Sequence, residues 1–310
     1  MEAVIGYTYR TCAHLEVSDE DAADFLQSQF TNELRPFEPG TCSYGLWLDV
    51  KGKVIGDSRV LCEGAEQFRI LSATTDGAVI QHKLQRHIIA DDVEIELQDA
   101  CLAYSLIGVG VVELLQQIGY PTPAVGRYCE HAGVLVYSGR RSIRPSFELV
   151  VLDPSVADSL AASLTAAGVD WVDEARIQRE RLEAGYPLIP TEIGSADLPG
   201  EGGLVADAVS LTKGCYLGQE VVARMHNLGR PQRGLFLVQG SGAIPALPTA
   251  LHNADKKVVG ELRSAYPLGG DWQGGALLKL RFAQAGDQLS CGAGAVSVIR
   301  AFRSELKGGE

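Results

Sequence analysis

No stretch of about 18 consecutive apolar residues occurs anywhere in this chain, so nothing in the sequence reads as a membrane-spanning helix. The N-terminus, Met1-Glu-Ala-Val-Ile-Gly-Tyr7, lacks a basic region followed by an apolar core and does not read as a secretory signal. Also missing are CxxC and HxxxH pairs, the short spacings that chelate zinc or frame a disulfide scaffold. The seven cysteines (Cys12, Cys42, Cys62, Cys101, Cys129, Cys215 and Cys291) are odd in number and scattered, which suits reduced thiols in the cytoplasm. Basic charge is short too. A formal net charge of −12 argues against broad binding of nucleic acid or of an anionic membrane. There is no fixed-period repeat and no low-complexity tract.

What is present is an ordinary globular composition, 46% hydrophobic and 21% charged over 310 residues, long enough for two or three domains. Periodicity predicts a helix from Asp21 to Phe30 with Ser18 as its cap and Asp21 at the capping-box position. A hairpin is expected about Lys51-Gly-Lys53, joining strands 41–50 and 54–62, with a further strand over 68–73. Helices follow at 76–90, 111–118, 155–167 and 173–184, and strands at 93–97, 101–107, 134–137 and 147–152. Hairpins mixed with single crossover helices indicate α+β rather than regular βαβ alternation. From about Gly234 short apolar runs alternate with Gly and Pro turns, the texture of a small all-β module. The Pro- and Gly-rich stretch Tyr186–Gly203 is long enough for a functional loop.

Several local patterns resemble chemistry they do not complete. Gly108-Val-Gly110 follows an apolar strand, but Glu113 stands where a dinucleotide fingerprint needs its third glycine, so the segment reads as a strand–turn–helix corner. His82 and His87 are five apart and face different sides of a helix. His14-Leu-Glu16 lacks the Pro-Cys-x-x-Cys half of a zinc deaminase signature, and no metal site is expected. Two basic clusters interrupt the acidic background: Arg140-Arg141 with Arg144, and Arg224, His226, Arg230 and Arg233. Each is either a solvated loop or an anion site.

The densest pattern is Lys213-Gly-Cys215-Tyr-Leu-Gly-Gln-Glu220. A cysteine flanked by glycine, two residues from a lysine and at the expected start of a helix, has the surroundings of an acidic, reachable thiol. Gly214 and Gly218 allow close backbone approach. Val221, Val222 and Met225 form an apolar helical stripe, and Glu220 and Arg224 are spaced as an i,i+4 pair. A buried structural cysteine in a tight turn is the plainer alternative. Upstream, Arg181-Leu-Glu183-Ala-Gly185 ends a helix, with Gly185 at a C′ position.

Together Phe25-Leu-Gln-Ser-Gln-Phe-Thr-Asn32, the segment Arg181–Gly185 and above all the segment Lys213–Glu220 resemble the YgfZ-type folate-binding proteins, relatives of the glycine cleavage T protein (an aminomethyltransferase). The resemblance spans nearly the whole chain. It implies a three-domain ring: two ferredoxin-like α/β domains, one discontinuous, and a C-terminal β-barrel around a channel for tetrahydrofolate or a one-carbon derivative. The divisions expected are 1–50 with 140–232 as the folate-binding domain, 51–139 as the second, and 233–310 as the barrel. By the same resemblance Glu183 anchors the pterin, and Asn32, Arg224 and the Gly56-Asp57 segment face the channel. Cys215 is the working group, with Lys213 as its activator, while Tyr216, Gln219 and Glu220 complete the motif. T proteins carry an Asp-Asp pair after the first hairpin turn; here Asp57 is the one acid retained. The function implied is a tetrahydrofolate-binding accessory factor for iron–sulfur cluster assembly or repair, serving iron–sulfur and tRNA-thiolating enzymes. The competing reading is a folate-dependent one-carbon transferase in which Asp57 assists.

Overall fold

A computed structural model describes residues 3–229, 231–292 and 294–302. The chain opens with β1 (Ile5–Arg10), β2 (Ala13–Ser18), α1 (Ala22–Gln29), β3 (Cys42–Leu48), β4 (Val54–Gly64) and β5 (Gln67–Ser72). Then come α2 (Gly77–Gln85), β6 (Glu94–Leu97), β7 (Leu102–Ile107), α3 (Val111–Gln117), β8 (Tyr128–His131), β9 (Val134–Ser138) and β10 (Ser146–Val151). Next are α4 (Ala157–Ala166), β11 (Asp170–Trp171), α5 (Glu174–Ala184), α6 (Val205–Ala208) and α7 (Gln219–Leu228). The last six strands are β12 (Arg233–Ser241), β13 (Thr249–His252), β14 (Val258–Leu268), β15 (Asp271–Lys279), β16 (Gln288–Cys291) and β17 (Gly294–Ala301).

These strands form a five-stranded sheet in the order β3-β4-β5-β2-β6 and a six-stranded sheet in the order β11-β1-β7-β10-β9-β8. The third unit is a barrel closed in the order β12-β15-β14-β13-β16-β17, as the Gly/Pro texture beyond Gly234 leads one to expect. The fold is α+β in three parts, two mixed α/β units and a C-terminal barrel. The chain switches sheets between Arg10 and Ala13, which ties the first two units together at their outset. The border expected between residues 50 and 51 falls inside the β3–β4 hairpin, whose strands pair from Cys42 with Leu61 to Leu48 with Val54. The sheets instead group 13–97 on one side, and 5–10 with 102–171 on the other.

Local chemistry accounts for the element ends. Asp173 caps α5 by accepting from the Arg176 N–H, and Gly185 closes it in the left-handed region at φ 72°, where glycine carries no steric cost. Ser18 does not cap α1; it ends β2, and Asp21 takes the N-cap position without a side-chain bond.

Three apolar clusters hold the units in place. Phe25, Leu26 and Phe30 of α1 pack on Trp47, Val60, Phe68 and Ile70 of the five-stranded sheet. Cys42, Leu61, Leu71, Ala103, Leu135 and Val150 join the two sheets face to face. Leu46, Leu48 and Val54 share a core with Ile189, Ile193, Tyr216 and the barrel residues Leu235, Leu237 and Leu277. Full burial of each such aliphatic side chain contributes on the order of 1.5–3 kcal/mol. That third cluster places the 186–203 loop, the Lys213–Glu220 motif and the barrel around one hairpin.

Candidate functional site

Strand alternation sets the first part of the site. Along β4 the odd positions Asp57 and Arg59 share one face, while Ser58 and Val60 turn into the sheet's other side. Leu46 lies opposite Asp57 and Tyr44 opposite Arg59, so Tyr44 and Asp57 are diagonal neighbours on one face. The Tyr44 hydroxyl donates to Asp57 Oδ2 across 2.8 Å. Thr75 donates from Oγ1 to Asp57 Oδ1 at 2.9 Å and accepts the Asp57 backbone N–H at 3.0 Å. This approach needs Gly56, because a Cβ there would come within 2.3 Å of the Thr75 methyl carbon. Ser72 and Thr74 add longer contacts to the same carboxylate oxygen.

Burial pushes the Asp57 carboxyl above its usual range; the hydroxyls of Tyr44, Thr75 and Thr74 and the charge of Arg140 pull it part of the way back. Burial and the neighbouring Asp57 likewise hold the Tyr44 phenol well above its ordinary value, so it stays a donor. Asp57 thus opens onto a cavity of about 100 Å³ built from both sheets, α5 and the loop that follows it.

The far wall carries groups the sequence did not assign. Arg140, in the loop joining β9 to β10, lies over the Tyr44 ring at 3.5 Å and the Tyr186 ring at 4.6 Å from their centroids. It pairs with Asp207 of α6 at 2.6 Å. Beside it Arg141 faces the buried carboxylate of Glu148, which also accepts from Tyr9 at 2.9 Å and Ser105 at 3.0 Å. The Arg140–Arg144 cluster is therefore neither a solvated loop nor an open anion site. Its charges are met internally by Asp207, Glu148 and Glu180.

The helix-end motif contributes Arg181 to this cleft, not Glu183. Arg181 is buried and makes a two-pronged pair with fully buried Glu192, at 2.8 and 2.9 Å, and Glu192 also accepts from Ser264 of the barrel. Glu183 is exposed on α5, outside the cavity lining, and its carbonyl accepts from Arg300. Asn32 stands behind the cleft, tying the Tyr44 carbonyl at 2.8 Å to the Asp207 carbonyl at 3.4 Å. Arg224 lies exposed on α7. In its cluster Arg233 is engaged by Glu201 and Asp197, His226 is exposed, and Arg230 falls outside the described residues.

The Lys213–Glu220 motif forms a separate feature packed on the tip of the β3–β4 hairpin. Lys213 is buried, and its ammonium donates to the carbonyls of Gln27 and Phe30 at 2.7 Å and of Asn32 at 2.8 Å. The Gln27 and Phe30 carbonyls lie at the C-terminal end of α1, where a cation is favoured, and Asn32 lies just beyond it. Tyr216 is buried in the shared core, and the Leu217 N–H donates to Ser28. Gly218 takes φ +84°, and a Cβ there would lie 2.7 Å from the Asp49 carbonyl and 3.0 Å from the Gly52 Cα.

Gln219 begins α7, so Cys215 sits three residues before the N-cap Gly218 rather than against the first turn. The helix-end field fades within a turn, and Lys213 is committed to α1. Neither expected activator is therefore aimed at the thiol. Cys215 is exposed, and Gly214 beside it has open space around it. Gln219 is half-buried and Glu220 exposed at the start of α7.

With this geometry in view, the likenesses to known proteins fall into place. The GCVT N-terminal domain family model matches residues 2–122. The chain is 28% identical over 253 residues to the tRNA-modifying protein YgfZ of Vibrio vulnificus strain CMCP6, spanning 81% of this chain and 74% of that protein. It is 27% identical over 234 residues to the tRNA-modifying protein YgfZ of Edwardsiella ictaluri, spanning 73% and 68%. Among solved structures, the glycine cleavage system aminomethyltransferase T from Bartonella henselae superposes with a TM-score of 0.81 over 96% of this chain and 88% of its own, at 17% identity. That last likeness is one of fold. Residues 2–122 thus match the GCVT N-terminal domain family, the chain is similar to YgfZ proteins over most of its length, and its fold is that of the glycine cleavage T protein.

Proposed function

We propose that this protein is a reduced-folate-binding accessory factor that supports iron–sulfur-dependent tRNA modification, with Cys215 as its outward-facing working group. The observation that carries this reading is a division of labour: Asp57 sits in an aromatic-walled cleft, while the Cys215 thiol is presented outside it on a firmly anchored loop. A pterin is flat and offers N–H donors along one edge. Asp57 supplies a carboxylate acceptor, and Tyr44 and Tyr186 supply faces for the ring. When bound, tetrahydrofolate contributes a pair of nitrogens that carry a one-carbon unit.

The link to tRNA modification comes from the names of the YgfZ relatives. The iron–sulfur link comes from the family resemblance, supported by a thiol that a partner protein can reach. All seven cysteines are free, which fits a reducing compartment, and we place the protein in the cytoplasm. No helix among the described residues is long and apolar enough to cross a membrane.

The test is genetic and biochemical together. In cells lacking their own YgfZ-type protein, Cys215→Ala should bind 5-formyltetrahydrofolate normally yet fail to restore iron–sulfur enzyme activity. Full restoration by Cys215→Ala removes the thiol role. A second reading, a folate-dependent one-carbon transferase, is favoured by the tight hydroxyl cage around Asp57. Turnover of an aminomethyl or methylene donor by the purified protein, lost in Asp57→Asn, would establish it. Loss of a positioned acid typically lowers such a rate by about 10²–10⁴-fold.

A further inference from the structure

We infer that Arg140 is a displaceable plug: its guanidinium occupies the seat over Tyr44 and Tyr186 that the flat heterocycle of a folate takes when it binds. This rests on the folate reading above and adds how that site opens and closes. The first ground is volume. Small-molecule sites usually enclose roughly 300–1,000 Å³. The cavity beside Asp57 offers about 100 Å³, too little for a pterin with its tail.

The second ground is what fills the space. The Arg140 guanidinium is a planar cation lying over two tyrosine rings, at 3.5 and 4.6 Å from their centroids. A heterocycle can replace it there, because the same ring faces attract a stacked π-system. The third ground is how Arg140 is held. It hangs from the loop between β9 and β10, where nearby Ile143 is 81% exposed, and its anchor on the far side is the ion pair with Asp207 at 2.6 Å. One ion pair and two ring contacts latch the guanidinium, while buried Arg141 and Ser142 keep the loop itself in place, so the Arg140 side chain can swing off the rings without disturbing either sheet.

A plug imposes a population cost, since ligand binds only the molecules in which the seat is vacant. Removing the plug therefore strengthens binding, whereas removing a ligand contact weakens it. The experiment titrates 5-formyltetrahydrofolate into full-length wild-type, Arg140→Ala and Asp207→Asn proteins. Arg140→Ala is expected to bind about tenfold tighter, with most of the gain in the association rate. Asp207→Asn, which keeps the guanidinium but frees the latch, should shift in the same direction and decides the matter where Arg140→Ala fails to fold. Free guanidinium at millimolar concentration should compete with the folate in Arg140→Ala and have little effect on the wild type, a signature no purely structural role would produce. Equal or weaker folate binding by both variants, with the wild type binding, overturns the plug alone. No binding by any of the three proteins overturns the folate reading together with the plug.

Discussion

The ammonium of Lys213 donates to the carbonyl oxygen of Phe30 across 2.7 Å, joining the cysteine motif to a helix 183 residues earlier. The same nitrogen reaches Gln27 and Asn32, so one side chain satisfies three carbonyls at and just beyond the end of α1. Burial pushes this amine down to about 8, and at neutral pH it stays mainly protonated, able to serve all three acceptors. Lys213 acts as the anchor of the loop.

Lys213→Met is accordingly expected to lower stability by about 1–3 kcal/mol, the cost of leaving buried carbonyls without donors. Cys215→Ala, an exposed change, should stay within about 0.5 kcal/mol of the wild type. Urea denaturation of both variants checks this. An unchanged midpoint for Lys213→Met would show that the three bonds carry no weight.

Gly218→Ala should be severe. The left-handed backbone alone costs roughly 1–2 kcal/mol for a residue with a Cβ. The Asp49 carbonyl, 2.7 Å from that Cβ, is backbone and cannot easily yield. Gly214→Ala meets open space and should be nearly silent. Thermal denaturation of the pair gives the comparison, and equal losses would contradict the packing of Gly218 on the hairpin tip.

Lys83 provides a pH signature. It is buried beneath Trp47, donates to Gln29 at 2.8 Å, and burial pushes its amine from an ordinary 10.5 down to about 7. Between those values the unfolded chain holds a proton that the folded chain does not, so stability from this group rises with pH across the window. Below about 7 both states hold it, and the full burial penalty applies. Replacing Lys83 with Met should flatten the rise in urea midpoint between about pH 7 and pH 10. A slope identical to the wild type would exclude an amine titrating in that window.

Much of the architecture could be read directly. Asp173 and Gly185 bracket α5 as cap and stop, the Lys51-Gly-Lys53 turn joins paired strands, and the Gly/Pro texture beyond Gly234 marks the barrel. The strand β2 does carry the period-2 signal, with Ala13, Leu15 and Val17 alternating with His14, Glu16 and Ser18, but six residues are too short a run to stand out beside the helix signal that follows.

The cleft was harder for a different reason. Tyr9, Tyr44, Glu148 and Tyr186 come from separate elements, and none carries a local motif. Arg140 and Arg141 stood out as charge, but local pattern could not reveal that Asp207 and Glu148 would neutralise them. Proximity in sequence also misled: Lys213 lies two residues from Cys215 and serves Phe30 instead.

The central claim is that Asp57 belongs to a folate site while Cys215 works outside it. Calorimetric titration of 5-formyltetrahydrofolate into wild-type, Asp57→Ala and Cys215→Ala proteins tests it most directly. Saturable binding by the wild type and by Cys215→Ala, lost or reduced at least tenfold in Asp57→Ala, is the expected result; a drop of that size corresponds to about 1.4 kcal/mol. Wild-type protein that takes up no reduced folate, or Asp57→Ala that binds as tightly as the wild type, would contradict it.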